Sequence, residues 1–415
     1  MADVTVNTDT NNPPIELGTR WTVFKNALTG YCFQFAADRD LYYEKTTDGG
    51  ATWGTRVSVF VGVGGALDVW YDQWTPSDTG TKIHLNFIDA NNNIYYANLE
   101  TATDTLSTPL AINNTATFVT STWGFRYCNI TKARGGNLYV AFHGDSGAAL
   151  TECWRSIDGG ANWTVRADPQ RGASNYVLML PGAETDANDI VAWVWDGSAN
   201  AIYYRRYDDS LDTWDETLVN SDHGENNSAI GWSGGIRHSD NNVFLIAWSA
   251  YPDIVSADLR VYQAHQGTVT NRTNIVTDTD DMGGCTLYID QSRGRLYVGM
   301  IGKSDGSETF GTSVNVYYVI SNNNGISWSN QTQYNTTATA INHISSDMGA
   351  RHGRFYPIFH TGDLMGNFDN SVLIAPSGGS PPRGGGGGGN PNPPGGGGKR
   401  DKGVFRKTRT LDNVL

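Results

Sequence analysis

Residues 156–163 read Ser-Ile-Asp-Gly-Gly-Ala-Asn-Trp, and the same pattern recurs as Thr-Thr-Asp-Gly-Gly-Ala-Thr-Trp at 46–53 and Ser-Asn-Asn-Asn-Gly-Ile-Ser-Trp at 321–328. The tryptophans that end the three copies, at positions 53, 163 and 328, are separated by 110 and 165 residues, which are two and three times 55. A fixed spacing of this size is typical of chains built from repeated supersecondary units. We therefore expect this 415-residue chain to be a repeat array.

A second repeated feature is a segment in which apolar residues alternate with other residues. Its seven copies start 52 to 59 residues apart and are residues 31–37, 83–88, 138–142, 190–195, 243–248, 296–301 and 355–359. Each is followed by a turn and a second strand-like segment, which is often rich in tyrosine. Alternation with period two, with Gly, Asp and Asn at the turns, predicts antiparallel strands. The chain is therefore predicted to be all-β.

A period of about 55 residues with four short strands per unit is typical of a β-propeller. We predict a single propeller of four-stranded antiparallel blades, with seven blades and with six as the alternative. Strands A to D of each blade are counted outward from the axis. In the last blade we assign strand A to 343–347 and strand C to 371–375, and expect residues 3–7 to supply strand D, since this would cover an exposed sheet edge.

The carboxy-terminal region differs from the rest of the chain in composition. We assign residues 1–376 to the propeller, 377–398 to a disordered Gly/Pro-rich linker, and 399–415 to a basic peptide. Residues 379–415 hold seven basic and two acidic side chains in a chain of net charge −13. The remainder of the chain therefore carries about −18. The basic peptide is either a solvated appendage or a docking segment for an acidic protein partner, including a neighbouring copy.

The composition also bears on partners and location. An acidic body argues against nucleic-acid binding, and the sequence contains no apolar run long enough for a membrane span. Residues 1–5 lack the features of a signal peptide, so the location is undetermined, and a virion is one assembly that would suit such a chain. The four cysteines are interpreted as buried thiols, because their spacing is not that of metal ligands: Cys32, Cys128, Cys153 and Cys285. No cofactor or metal is predicted.

The eight-residue motif resembles the Asp-box, also called the bacterial neuraminidase repeat, of sialidases and several other propeller families. The resemblance implies a sialidase-like propeller with the boxes between strands C and D, away from the active site. In such a turn the carboxylate or amide oxygen accepts backbone N–H bonds, glycine permits positive φ, and tryptophan packs between sheets. The residues assigned this structural role are Asp48, Trp53, Asp158, Trp163, Asn323 and Trp328.

The resemblance to sialidases also implies an arginine triad, a tyrosine nucleophile assisted by glutamate, and an aspartate acid/base. The first arginine of sialidases lies in a Phe/Tyr-Arg-Ile-Pro sequence, which this chain lacks. Only Arg20 and Arg39 precede the first box, and neither context matches. We therefore assign no catalytic residue and do not expect cleavage of sialosides.

Candidate ligand-binding residues come from the loops that enter strand A or join strands B and C, because these share one face of a propeller. Aromatic rings beside carboxylates and arginine suit sugar recognition. The alternative is that these aromatic residues belong to the core between blades. The candidates are Asp68, Trp70, Trp123, Arg126, Tyr251 and His343.

These observations favour a non-catalytic protein that binds glycans or a cell surface. Clustered carboxylates in the central channel would instead favour the alternative, a glycoside hydrolase or polysaccharide lyase. A third hypothesis is a purely structural assembly module.

Overall fold

The computed structural model describes residues 3–8, 20–89, 91, 93–113, 127–144, 150–170, 174–184, 186–196, 199, 201–221, 232–250, 257–279, 284–302, 315–335, 341, 343–350, 354–361 and 364–368. Contacts divide the chain into two units, Met1–Ala375 and Pro376–Leu415, and every described residue lies in the first. The described residues contain strands and one 3₁₀ turn, and no α-helix.

The strands form seven sheets, numbered here by the position of their innermost strand. Sheet 1 contains β2 (Thr22–Phe24), β3 (Gly30–Phe35), β4 (Leu41–Thr46) and β5 (Val57–Phe60), and sheet 2 contains β6 (Val63–Tyr71), β7 (Lys82–Asp89), β8 (Ile94–Glu100), β9 (Thr105–Leu106) and β10 (Leu110–Asn113). Sheet 3 contains β11 (Tyr127–Lys132), β12 (Leu138–Gly144), β13 (Leu150–Ser156) and β14 (Thr164–Arg166); sheet 4 contains β15 (Ser174–Pro181), β16 (Ile190–Asp196), β17 (Ala201–Asp208) and β18 (Thr213–Asn220); and sheet 5 contains β19 (Trp232–Ile236), β20 (Val243–Ala250), β21 (Ala257–His265) and β22 (Thr268–Thr279). Sheet 6 contains β23 (Cys285–Asp290), β24 (Arg295–Ile301), β25 (Val316–Ser321), β26 (Thr332–Gln333) and β28 (Gly349–Ala350), and sheet 7 contains β27 (His343–Ser345), β29 (Ile358–Thr361), β30 (Leu364–Phe368) and β1 (Asp3–Asn7).

Each sheet is an antiparallel meander, and only the short strand β28 adds a parallel pairing, to β23. The innermost strands of sheets 2 to 7 contact one another in chain order. Sheet 1 joins sheet 2 through the bond from the Val69 N–H to the Arg20 carbonyl. It joins sheet 7 through the stacked rings of Phe24 and Tyr356, whose centroids are 4.2 Å apart. The predicted all-β propeller of four-stranded antiparallel blades is therefore confirmed.

The amino-terminal strand completes the last sheet. Strand β1 pairs antiparallel with β30, with Asp3 opposite Phe368, so the predicted closure of the ring by residues 3–7 is confirmed. The predicted partner strand, 371–375, was wrong, and those residues lie outside the described part of the chain. The observed partner contains Gly366 and Asn367, two residue types that are depleted in strands, so its sequence does not mark it as one.

The repeated eight-residue motif forms the turn between the third and fourth strands of sheets 1, 3 and 6. In sheet 3 the Asp158 carboxylate accepts bonds from the backbone N–H groups of Ala161 and Asn162, at 3.0 and 2.9 Å. Gly160 has a φ of +96°, and a Cβ there would overlap the ring of Tyr96 in sheet 2. The turn therefore needs glycine for its backbone conformation and for its contact with the neighbouring sheet.

The other two copies repeat this bonding. Asp48 accepts from the Thr52 N–H at 2.9 Å, and Asn323 accepts from the Ser327 N–H at 3.0 Å. In sheet 3, Trp163 packs on Tyr96 of sheet 2, with ring centroids 5.3 Å apart. Such turns join neighbouring sheets on the outer part of the ring.

The core lies between the sheets. Strand β16 is buried along its whole length, because its sheet is covered on both faces by its neighbours. The largest fully buried side chains include Trp70, Trp193, Trp195 and Trp248. These indole groups supply much of the apolar area that adjacent sheets bury against each other.

Candidate functional site

Polar side chains on or just before the innermost strands link neighbouring sheets, and we call them the inner belt: Arg20, Asp68, Asn129 and Ser233, of which the first three are buried. Asp68 on β6 accepts bonds from the backbone N–H groups of Arg20 and Ile130, at 2.7 and 2.8 Å. It also pairs with the Arg20 guanidinium and accepts from the Asn129 amide at 2.8 Å. One carboxylate thereby joins sheets 1, 2 and 3.

The inner belt continues around the ring with other acceptors. The Asn129 side-chain oxygen accepts from the Met179 N–H of sheet 4 at 2.7 Å. The Ser233 hydroxyl of sheet 5 accepts from the Leu287 N–H of sheet 6 at 2.8 Å. In each case a side chain on one innermost strand satisfies a backbone donor of the next, because neighbouring innermost strands do not form backbone ladders with each other.

Two sequence-predicted ligand residues belong to this buried layer. Asp68 and Trp70 each have 0% of their surface exposed. Burial raises the pKa of Asp68, and the Arg20 guanidinium and backbone donors act against that rise. The Trp70 indole N–H donates to the Thr75 hydroxyl at 3.0 Å, and the Arg20 guanidinium lies 4.8 Å from its ring centroid. Their assignment to a ligand is corrected: these groups hold the ring together.

The connections from strand A to strand B close one end of the ring, which we call the A–B end. The 3₁₀ turn Asp72–Trp74 of sheet 2 brings the Trp74 indole N–H to the Asp347 carboxylate of sheet 7, at 2.7 Å. The imidazole of His238, from sheet 5, lies 3.1 Å from the Trp74 carbonyl oxygen. Sheets 2, 5 and 7 therefore meet at this end.

Met348 fills the space between these connections. Its sulfur lies 3.7 Å from the Arg20 guanidinium of sheet 1, and a Cβ on Gly235 of sheet 5 would come within 3.1 Å of its side chain. Met348 and Trp74 are 3% and 1% exposed. Sheets 1, 2, 5 and 7 thus contact one another at the A–B end.

A buried network beside the A–B end joins sheets 2 and 3. Asp72 lies 2.9 Å from His84 Nε2 and 2.5 Å from Lys132 Nζ, and His84 Nδ1 lies 2.7 Å from the Tyr96 hydroxyl. Although burial acts to raise it, the pKa of Asp72 is lowered by His84 and Lys132. Burial lowers the pKa of His84. This arrangement resembles a catalytic relay, but Asp72, His84 and Tyr96 are each at most 3% exposed, so it serves structure.

The opposite end of the ring, here the B–C end, carries the connections between strands B and C and those leading into strand A. His343 begins β27 at this end and is half-buried. Its ring centroid lies 6.1 Å from that of His360 on β29. Burial, assisted by His360, lowers the pKa of His343 to about 3, so its imidazole is neutral at physiological pH.

The other predicted ligand residues, Trp123, Arg126 and Tyr251, lie outside the described residues. So do most connections at the B–C end, including 114–126, 251–256 and 303–314. Among the residues that the structure does describe, no group of three His, Cys, Asp or Glu side chains could hold a metal ion. Within the same ranges no helix is long and apolar enough to cross a membrane. None of the four cysteines, all of which lie within the described residues, forms a disulfide, and all four are buried.

Sequence reasoning missed the polar residues that organise the inner belt. Arg20 was considered only as a sialidase arginine, and Asn129 and Ser233 were not singled out. Their signal is weak, because one polar residue within an apolar strand does not reveal which neighbouring strand it will bind. Asp72 directly follows strand β6 and Asp290 ends strand β23, so both carboxylates lie where an innermost strand meets its A–B connection.

Solved structures share this fold. A polysaccharide lyase of family PL25, an ulvan lyase bound to -[GlcA(1-4)Rha3S]-, has a TM-score of 0.55 and 9% identity over 89% of this chain and 94% of its own. The BP39L lectin from Burkholderia pseudomallei has a TM-score of 0.57 and 11% identity over 85% and 98%. The polysaccharide lyase Uly1 has a TM-score of 0.53 and 10% identity over 88% and 92%. No protein-family model and no curated protein matches the sequence. The chain is thus similar in fold to β-propellers that include lyases and a lectin.

Proposed function

We propose that the protein is a non-catalytic glycan-binding propeller whose ligand binds on the axis at the B–C end. The observation that carries the proposal is the packing at the A–B end, where Trp74, Met348 and Arg20 bring sheets 1, 2, 5 and 7 into contact. A ligand would therefore enter from the B–C end. A concave site open on one side can bury most of the surface of a small ligand.

The carboxylates of the innermost strands favour binding over hydrolysis. A glycosidase uses two carboxyl groups about 5 to 10 Å apart that both face the substrate. Asp68, Asp290 and Asp347 each have 0% of their surface exposed. Asp290 accepts from the Ser292 N–H at 3.0 Å and pairs with Arg293, and Asp347 accepts from Trp74. None of these three is free to act on a sugar.

His343 is the described residue that we propose as a ligand contact. It is half-buried at the B–C end, and its neutral imidazole offers one hydrogen-bond donor and one acceptor, which suits a pair of sugar hydroxyls. A group whose pKa is about 3 is a poor proton acceptor at neutral pH. We propose that Trp123, Arg126 and Tyr251 contribute to the same site.

The solved structures of similar fold support a saccharide as the ligand class, because one is named as a lectin and another as an ulvan lyase with a bound saccharide. A second candidate function is polysaccharide lyase activity. It is favoured by the extent of the fold similarity to the two lyases, which covers 89% and 88% of this chain. Sialoside cleavage is not proposed, since the arginine context of sialidases is absent from the sequence.

Two further assignments accompany the proposal. We infer that the turns at 46–53, 156–163 and 321–328 are Asp-boxes, supported by their shared side-chain-to-backbone bonds. We also propose that the basic peptide 399–415 docks on an acidic protein surface, such as a neighbouring copy or a virion component. Its charge is opposite to that of the rest of the chain.

The test is a glycan array followed by calorimetric titration of the glycans that bind. We expect His343→Ala to weaken binding at least tenfold with an unchanged melting temperature, and Leu28→Ser to bind like the unmodified protein. Leu28 lies in the A–B connection of sheet 1 and is 53% exposed. Binding of no glycan at all, or weaker binding in Leu28→Ser alone, would contradict the proposed site.

Catalysis is tested on the same glycans and on a fluorogenic sialoside. We expect no new reducing ends and no absorbance from an unsaturated uronate product. Release of unsaturated product by the unmodified protein would establish the lyase alternative, and sialoside turnover would contradict both readings.

A further inference from the structure

One asparagine side chain is placed for a spontaneous covalent change. Residues 324–325 are the one Asn-Gly pair in the sequence, and they lie in the turn 321–328 of sheet 6, which we call the labile turn. Asparagine is a thermolabile residue, because the backbone nitrogen of the following residue can attack its side-chain carbon. Glycine favours this attack, since it has no Cβ to hinder it.

Asn324 occupies a position at which the two related turns have glycine. Its φ is +63°, close to the +77° of Gly49 and the +73° of Gly159. Asparagine is one of the few residues other than glycine that adopts this left-handed conformation. Its side-chain oxygen accepts a hydrogen bond from the Arg237 guanidinium of sheet 5. Asparagine at this position therefore makes a contact between sheets that glycine could not make.

The labile turn is where sheet 6 meets several strands of sheet 5. Arg237 directly follows β19. A Cβ on Gly325 would come within 2.8 Å of the Val261 side chain on β21. The Thr273 hydroxyl of β22 donates to the Ile326 carbonyl oxygen at 2.6 Å. The junction between the two sheets therefore depends on the path of the main chain through this turn.

We propose that Asn324 is a site of spontaneous deamidation, which is slow while the labile turn is closed, and that isoaspartate formed there weakens the junction of sheets 5 and 6. The Gly325 nitrogen forms a bond to Asn324 Cγ, and the bond from Cγ to the side-chain nitrogen breaks. Ammonia leaves with the proton of the Gly325 N–H. Water then opens the five-membered imide at one of its two carbonyl groups, which yields aspartate or isoaspartate.

The closed turn restrains both reacting groups. The Gly325 N–H donates to the Ser321 hydroxyl oxygen at 2.8 Å, and Gly325 is buried. The Asn324 amide is held by its bond from Arg237. Ring closure must release the Gly325 N–H and reorient the amide towards it. We therefore expect the reaction to proceed from locally opened states of the turn.

The two products differ in their effect on the junction. Aspartate leaves the main chain unchanged, and its carboxylate can still accept from Arg237. Isoaspartate lengthens the main chain by one carbon between Asn323 and Gly325. The Asn323 side-chain oxygen accepts from the Ser327 N–H at 3.0 Å, and Gly325 packs on Val261. We expect the longer main chain to lose at least one of these contacts.

The first experiment incubates the full chain at neutral pH, either folded or in concentrated urea, and measures deamidation at residue 324 by mass spectrometry. We expect the folded chain to react at least tenfold more slowly than the unfolded chain. Ser321→Ala should speed the reaction of the folded protein by about 2- to 10-fold, because one hydrogen bond that keeps the turn closed is lost.

The matched control is Ser156→Ala in sheet 3, where the Ser156 hydroxyl oxygen accepts from the Gly160 N–H at the same distance of 2.8 Å. This variant should leave deamidation at Asn324 unchanged. Melting temperatures establish that both serine variants fold. No deamidation in the unfolded chain, equal rates in the folded and unfolded chains, or no acceleration in Ser321→Ala would overturn the proposed site.

The second experiment separates the isoaspartate form by ion exchange and measures its melting temperature. We expect it to melt below the unmodified protein, whereas Asn324→Asp, which represents the other product, should melt close to it. Asn324→Gly cannot deamidate and should keep its own melting temperature during the same incubation. An isoaspartate form that melts like the unmodified protein would overturn the proposed weakening of the junction. None of these outcomes depends on whether the protein binds glycans.

Discussion

Removal of the Asp68 carboxylate tests the inner belt directly. In Asp68→Ala, the Arg20 guanidinium keeps its place in the core, where its side chain is 7% exposed, but loses its anion. The Ile130 N–H and the Asn129 amide lose their acceptor as well. Breaking a buried ion pair by removing one partner costs about 3 to 5 kcal/mol.

The expected shift in melting temperature follows from the size of the unit. Unfolding entropy is about 2.1 cal/mol/K per residue near 60 °C. The unit Met1–Ala375 therefore has an unfolding entropy of about 0.8 kcal/mol/K. A loss of about 4 kcal/mol lowers its melting temperature by about 5 °C.

Scanning calorimetry measures this shift, and two further variants identify its origin. Arg20→Met combined with Asp68→Leu should recover most of the loss, because neither charge is then left unpaired. Asp215→Asn is the control, since Asp215 is 74% exposed and paired with Arg206, and exposed pairs contribute less than about 1 kcal/mol. A decrease in melting temperature of less than about 1 °C in Asp68→Ala would refute the conclusion that the inner belt stabilises the fold. Loss of glycan binding by Asp68→Ala at unchanged stability would show that Asp68 belongs to the ligand-binding site.

Three other predictions concern the turns, the buried carboxyl group of Glu44 and the basic peptide. Hydrogen bonds from Asn162 and Ser156 lower the pKa of Asp158 to about 2, so the stability that its carboxylate contributes is present above pH 4 and is lost as pH falls towards 2. At pH 7 Asp158→Ala should therefore melt at a lower temperature than the unmodified protein. The difference between the two melting temperatures should shrink at pH 2. Burial raises the pKa of Glu44 from 4.5 to about 7, so the stability that its neutral form contributes is full below pH 4.5 and is lost as pH rises through 7. Urea unfolding should show Glu44→Gln more stable than the unmodified protein at pH 8, by up to about 3 kcal/mol. The gain should be absent at pH 4.5, and equal stabilities at pH 8 would contradict this prediction. Truncation after Pro376 should leave the melting temperature unchanged but reduce association measured by light scattering. The association of the full chain should weaken as the salt concentration rises. Equal masses of the full and truncated chains in all conditions would show that the basic peptide does not dock.

The strands were predictable from the sequence because the alternation of apolar and polar residues within a strand reflects which of its faces is buried. The alternation in residues 83–88 and 296–301, for example, corresponds to β7 and β24. The turns were predictable for the same reason, since Asp158 and Gly160 interact mainly within one loop and its neighbour. Strand β30 was missed because its pairing with β1 depends on a partner at the other end of the chain.

The candidate site was less predictable. An aromatic or acidic residue on an innermost strand has the same sequence signal whether it faces the ligand or the next sheet. Asp68 and Trp70 turned out to face protein, and only His343 among the described candidates keeps an exposed surface. The difference depends on which sheets become neighbours, which is decided by the closure of the whole ring.

The pairing of β1 with β30 has a consequence for synthesis of the protein on the ribosome. Residue 364 is made 357 positions after residue 7, which at about 5 to 20 residues per second is roughly 20 to 70 s later. During that interval β1 has no partner, whereas the intervening sheets can form locally as they appear. The short Asp-Val-Thr-Val-Asn segment has only two apolar residues, which limits its tendency to aggregate while it waits. We therefore expect nascent chains that stop before residue 364 to carry six largely folded sheets and an unpaired segment 3–7 that is open to proteases.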